Sequence, residues 1–200
     1  MRVAGRTLVV TGAGDAIGRA VALEAARRGA RVAAVDTDPA ELRETARQVV
    51  APLLLSTHLL SPGPAPTGIE ALPRAVLDRW GQVDAVIHCA PDGTPVVARA
   101  FLPTLRLRPE AHLVHVADSR SPAADRAAAK AFAHELRAET TLFVAMVFPT
   151  DPRRPYQAAR DILDGMERNA YPARIGSDRR IRDVRGVAAL LMARLRELVA

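Results

Sequence analysis

Short apolar runs alternate with longer stretches of helical periodicity along nearly the whole chain. Thr7 to Val10 is an apolar, β-branched run that stops at a glycine turn, as a buried strand does. From Ala16 to Arg28 the spacing changes to that of a helix, with Ile17, Ala20, Val21, Leu23 and Ala25 able to share one face and Gly29 as the stop. Arg31 to Val35 predicts a second strand closed by Asp36, and Asp38-Pro39 the cap and first turn of a helix to about Val50. Leu53 to Leu55 predicts a third strand. Thr67-Gly68-Ile69-Glu70 has the spacing of a capping box opening a helix to Trp80, which Gly81 ends. Ala85 to Ile87 is a fourth strand, and Thr94-Pro95 opens a helix bent or ended near Pro103. Strands over Leu113–Ala117 and Leu142–Phe148 follow, with helices over 121–139, 156–169 and 184–199. Strands alternating with helices predict an α/β fold, a Rossmann-like doubly wound parallel sheet of six to seven strands with helices on both faces. No repeat or low-complexity tract divides the chain, so residues 1–200 read as one domain.

Composition narrows the class. Two hundred residues with 49% apolar content suffice for one sizeable core. The net charge of +6 raises the question of nucleic acid. The arginines are dispersed, however, aromatic residues amount to 4%, and no finger or RNA-binding signature is present, so no nucleic-acid partner is expected. The densest basic stretch, Arg174 to Arg185, reads as a solvated face. The apolar runs are too short to cross a bilayer and no leader pattern opens the chain, so no membrane partner is expected. One cysteine, Cys89, excludes an internal disulfide framework and any multi-thiolate metal cluster, and a reducing cytoplasmic location is the simplest expectation.

The chemistry starts at Thr11-Gly12-Ala13-Gly14-Asp15-Ala16-Ile17-Gly18, between the first strand and the first helix. Gly12 permits the tight turn, Ala16 supplies a small residue, and Gly18 lets helix and strand pack closely. The helix N-terminus then offers free N–H groups and a positive dipole end to a diphosphate. Asp36 follows about twenty residues later, where a carboxylate accepts hydrogen bonds from both hydroxyls of an adenosine ribose and repels a 2′-phosphate. Thr37, not a cation, comes next, so NAD is favoured over NADP. Asp15 is positioned to cap the helix through its carboxylate, but its charge weakens anion binding nearby.

Lys130 is the only lysine, every other basic residue among the 28 being arginine. With the glycine loop, its position resembles the short-chain dehydrogenase/reductase family. Thr11 to Gly18 is similar to that family's TGxxxGxG loop with Ala16 replacing the middle glycine. His88-Cys89-Ala90-Pro91 stands where the family has NNAG, keeping only Ala90. Lys130 falls on the lysine of YxxxK, and Pro149 on the proline that ends the sixth strand. The resemblance implies NAD(P)-dependent redox chemistry and a cofactor site built from Gly12, Gly14, Asp15, Ala16, Ile17, Gly18, Asp36, Ala90, Lys130 and Pro149. It also implies catalytic positions at Lys130, Arg126, Asp118 and Ser119, with departures. Arg126 occupies the place of the family's catalytic tyrosine, and its serine falls on Asp118, or on Ser119 with a slip of one residue. Arginine does not release a proton at ordinary pH, so Arg126 cannot act as the general acid, though it could stabilise an oxyanion.

His88 ends the fourth strand near the expected nicotinamide side; a packed or hydrogen-bonded histidine is the simpler reading than an acid–base group. His115, mid-strand, reads as structural, and Cys89 as a small buried residue. Three functions remain open: an NAD-dependent oxidoreductase of a small alcohol or carbonyl substrate with altered acid–base residues, a non-redox isomerase, cyclase or lyase on the same fold, and a non-catalytic NAD-binding protein. The family's habit of pairing through the lysine-bearing helix implies a homodimer through Ala127, Ala128, Ala131 and Leu136.

Overall fold

The computed structural model describes residues 1–61, 68–90, 94–117, 131, 133–136, 142–149, 151, 153–171 and 174–175. Seven parallel strands form the sheet: β1 (Thr7–Thr11), β2 (Arg31–Asp36), β3 (Leu55–Leu59), β4 (Ala85–His88), β5 (His112–Val116), β6 (Phe143–Pro149) and β7 (Arg174–Ile175). Their order is β3-β2-β1-β4-β5-β6-β7, so the chain starts in the middle, runs to one edge, then crosses to the other. The reversal lies between β1 and β4, and a doubly wound sheet opens its ligand crevice at the carboxyl ends of the strands flanking such a reversal.

The strands are apolar on both sides because both faces are covered. Leu8, Val10, Val32, Ala34 and Ile87 join one core with helices α1 (Ala16–Arg27), α2 (Pro39–Gln48) and α5 (Pro155–Glu167). Val9, Ala33, Val35 and Val86 point the other way, against α3 (Leu72–Trp80), α4 (Thr94–Leu105) and the helical residues Ala133 and Leu136. Each fully buried side chain of this kind contributes roughly 1.5–3 kcal/mol.

Several expected boundaries shift for local reasons. Residues Pro52–Leu54 form a 3-10 turn and the third strand starts where that turn ends, at Leu55. Thr67 of the expected capping box lies outside the described residues, and the helix starts later than that box predicts. Gly68 has a φ of 95°, residues 68–71 make a turn, and α3 begins at Leu72 with Ala71 as an N-cap that offers no side-chain bond. Pro103 does not end α4, which runs two residues further with Phe101 and Leu105 fully buried. Gly81 does end α3, with a φ of 74° and its N–H donating to the Leu77 carbonyl at 2.7 Å. The final helix expected over 184–199 and most of that over 121–139 lie outside the described residues.

The amino ends of the strands are tied together by Asp84, a buried carboxylate just before β4. It accepts from the Thr7 backbone N–H and Gln82 Nε2 at 2.9 Å each, from Arg108 Nε at 2.9 Å and from Arg6 Nη1 at 3.3 Å. Burying a carboxylate costs several kcal/mol unless donors surround it, as here. With the amino ends sealed, the glycine loop and its cleft occupy the carboxyl ends.

Candidate functional site

The loop from β1 into α1 is held by its glycines. Gly12 has a φ of 70°, and a Cβ there would lie 2.8 Å from the backbone nitrogen of Ala90. The loop therefore passes flat against the end of β4, where only hydrogen fits. A Cβ on Gly18 would lie 2.6 Å from the carbonyl carbon of Gly12 and closer still to its oxygen. A Cβ on Gly14 would lie 2.7 Å from Glu41 Cβ and 2.9 Å from Asp36 Oδ2. The first intrahelical bond of α1 runs from Arg19 N–H to the Asp15 carbonyl at 2.7 Å. The N–H groups of Ala16, Ile17 and Gly18 therefore precede the helix's own ladder and form its electropositive end. Ala16 is exposed at this end, Ile17 is half-buried against the core, and Gly18 is buried.

A cleft of about 270 Å³ opens beside the loop. Gly12, Gly14, Asp15, Asp36 and Ala90 all line it, which brings five of the expected cofactor residues to one place. Leu60 and Val97 give it apolar walls, and Glu41 and His88 stand at its margins. Pro149 ends β6, beyond β5, and is not part of this lining. Lys130, Arg126, Asp118 and Ser119 lie outside the described residues.

Asp36 is the best-supported carboxylate of the site. Its Oδ2 accepts from Gly14 N–H at 2.6 Å, and its Oδ1 from the N–H groups of Thr37 at 2.7 Å and Asp38 at 2.9 Å. An ionised carboxylate has about four acceptor positions. Three are filled by backbone N–H groups. The same three bonds fix its rotamer toward the cleft. Asp15 differs from its expected role. It is the N-cap residue of α1, with extended backbone, but its side chain makes no capping bond. Its carboxyl group is pushed above the ordinary carboxylate range, first by burial and then by the charges of Asp36 and Glu41, with Arg19 opposing.

Three residues that spacing did not reveal complete the frame. Thr45, buried on α2, donates from Oγ1 to the Ala13 carbonyl at 2.7 Å. Arg19 on α1 donates from Nε to Thr45 Oγ1 at 3.0 Å and from Nη2 to the Gly14 carbonyl at 2.8 Å, and it forms a close ion pair with Glu41. These residues meet only through the tertiary fold.

At the other end of the cleft, a polar row crosses the sheet. Thr11, His88 and His115 are register neighbours on β1, β4 and β5. Thr11 Oγ1 and His88 Nδ1 are hydrogen-bonded at 2.6 Å, and the two imidazoles stack at 5.4 Å between centroids. His88 is thus a packed, hydrogen-bonded histidine that also borders the cleft. Burial pushes His115 down to about 4, so its ring is neutral at pH 7. Cys89 is half-buried, and desolvation, with a smaller contribution from Asp15, pushes its thiol well above the ordinary range, which favours the protonated thiol.

A glycine-shaped loop at a helix N-terminus, a carboxylate at the end of the next strand, and a crevice at the sheet's reversal are features of a Rossmann-like doubly wound fold. Residues 6–103 match the family model described as short chain dehydrogenase. The chain is 32% identical over 170 residues to 1-deoxy-11-beta-hydroxypentalenate dehydrogenase of Streptomyces arenae, an alignment that spans 67% of this chain and 60% of that protein. It shares its fold with a metagenomic short-chain oxidoreductase solved with NADP (TM-score 0.69, 21% identity, 86% of this chain and 96% of the other). A short-chain dehydrogenase/reductase from Burkholderia phymatum solved with NAD is also similar (TM-score 0.63, 22% identity, 74% and 66%). The chain belongs to the short-chain dehydrogenase/reductase family. The chain spans 60% and 63% of the length of the two 1-deoxy-11-beta-hydroxypentalenate dehydrogenases it matches, from Streptomyces arenae and Streptomyces exfoliatus.

Proposed function

We propose that this protein is an NAD-dependent oxidoreductase acting on a small alcohol or carbonyl compound, with acid–base residues altered from the family pattern. The observation that carries the reading is the cleft itself, lined by the glycine loop at Gly12, Gly14 and Asp15, by the oriented Asp36 carboxylate and by the apolar Leu60 and Val97, with the first-turn N–H groups of α1 following just past Asp15 and outside that lining. Those N–H groups suit a diphosphate, and Asp36 suits one hydroxyl of an adenosine ribose while opposing a 2′-phosphate. When bound, the dinucleotide supplies the hydride chemistry. The chain's own part is to orient it, to keep water from the buried end near Val97, and to handle one proton.

For that proton the family resemblance points to the segment with Asp118, Ser119, Arg126 and Lys130. Lys130 is assigned to the nicotinamide ribose and Arg126 to an oxyanion, with Asp118 or Ser119 as the proton-handling group. Arginine at the tyrosine position also favours a second reading, a protein that binds NAD without turnover. Titration of NADH fluorescence against wild type and Asp36→Ala tests the shared step, with saturable binding expected in the wild type and at least a tenfold loss in the variant. Turnover of an alcohol and ketone panel, abolished in Lys130→Ala, then supports the oxidoreductase. Binding without any turnover supports the second reading, and no binding removes both.

We also propose a homodimer, but on a smaller surface than the sequence suggested. Leu136 is 5% exposed and packs into the protomer's own core, so it cannot face a partner, whereas Ala131 is exposed. Light scattering coupled to size exclusion would report the mass directly. Among the described residues no helix is long and apolar enough to cross a membrane.

A further inference from the structure

Three charged side chains converge on one residue, Gly14. Asp36 accepts from its N–H at 2.6 Å, Arg19 donates to its carbonyl at 2.8 Å, and Glu41 packs so closely that a Cβ on Gly14 would lie 2.7 Å from Glu41 Cβ. Asp36 and Arg19 therefore hold the two successive peptide units that flank the Gly14 Cα. Arg19 is held there by Thr45 Oγ1 at 3.0 Å and is four-fifths buried. Among the described residues its ion-pair partner is Glu41, and Asp15 and Glu44 also feel its charge. Glu41 itself lines the cleft and is half exposed.

We propose that Glu41 is a second determinant of cofactor choice, which acts by neutralising an arginine, Arg19, that would otherwise attract a phosphate on the adenosine ribose. The inference rests on the dinucleotide reading above and deepens it. Asp36 opposes a 2′-phosphate by direct repulsion. With Asp36 removed, the nearest cation is still occupied, so tolerance of the phosphate rises little. With Glu41 neutralised as well, the positive charge of Arg19, held just behind the cleft on the Gly14 carbonyl, loses its ion-pair partner and attracts that phosphate through space. Asp15 and Asp38 remain nearby on the cleft wall, so the gain is finite.

The test compares dissociation constants for NADH and NADPH, by cofactor fluorescence at fixed low salt, in wild type, Asp36→Ala, Asp36→Ala/Glu41→Gln, and that double variant with Arg19→Gln added. Adding Glu41→Gln to Asp36→Ala is expected to shift the ratio of NADPH to NADH affinity by about tenfold toward NADPH. Adding Arg19→Gln should abolish the gain. Equal changes for the two cofactors on Glu41→Gln would overturn the inference while leaving the dinucleotide site intact. Absence of NADH and NADPH binding in wild type would instead overturn the dinucleotide reading, and this inference with it. Should the Arg19 variant not fold, as judged by its melt, the comparison of Asp36→Ala with Asp36→Ala/Glu41→Gln decides alone.

Discussion

Gly18→Ala separates a loop shaped for a diphosphate from a loop that merely turns. The added carbon would lie 2.6 Å from the Gly12 carbonyl carbon, whereas non-bonded carbons rest at about 3.5–4.0 Å. The N-terminal turn of α1 must therefore withdraw from β1 by about 1 Å. Neither side can yield cheaply. Gly12 is pressed against Ala90 behind it, and α1 is buried along Ala20, Val21, Ala22 and Ala25. Overpacking of this kind costs about 1–3 kcal/mol, which at this chain length lowers the melting temperature by roughly 2–12 °C. A displacement of about 1 Å in a positioning element costs on the order of a hundredfold in function, so NADH affinity should fall by one to two orders of magnitude. Gly81→Ala is the control. Gly81 also has a positive φ, 74°, but nothing lies within 4 Å of its Cβ position. It should lose about 1 kcal/mol of stability and keep its NADH affinity. Thermal melts and NADH titrations on both variants read the two effects separately. A Gly18→Ala protein that melts and binds like wild type would refute the reasoning.

Other consequences are as direct. Asp15→Asn removes a charge beside the expected diphosphate without removing a capping bond, and should tighten NADH by roughly two- to fivefold in a low-salt titration. Glu24, buried on α1, accepts from Arg27 at 2.6 and 2.8 Å and from Arg28 at 2.9 Å, and these partners hold its carboxyl at about 2. Because its folded value is depressed, its stabilisation is complete above about 4.5 and lost as pH falls toward 2. Glu24→Gln should therefore cost on the order of 2 kcal/mol at pH 7 in urea denaturation, a difference that shrinks toward zero near pH 2. Asp84→Ala leaves Arg6, Arg108 and the Thr7 N–H without their shared acceptor and should cost about 3 kcal/mol or more, measured the same way.

The sheet was legible because its strands are short apolar runs bounded by Gly29, Asp36 and Gly81, and because helical periodicity fills the gaps between them. The edge was less so. β3 carries Ser56, Thr57 and His58 with only Leu55 buried, so its pattern is that of an edge strand and the apolar signal fell instead on the 3-10 turn before it. The loop and Asp36 were visible as a local motif, since the residues that form them are consecutive or fixed by strand length. Arg19, Glu41 and Thr45 were not, because their bonds join α1 to α2 through the loop and no sequence spacing encodes them. Leu136 was misread as a surface residue because a helix periodicity shows one apolar face but not whether it turns inward or toward a partner.

A crystal structure with NAD bound tests the central claim most directly. The diphosphate should lie within hydrogen-bonding distance of the Ala16, Ile17 or Gly18 N–H groups, with one adenosine ribose hydroxyl on Asp36. A dinucleotide bound elsewhere, or a ribose that leaves Asp36 bonded only to Gly14, Thr37 and Asp38, would contradict it.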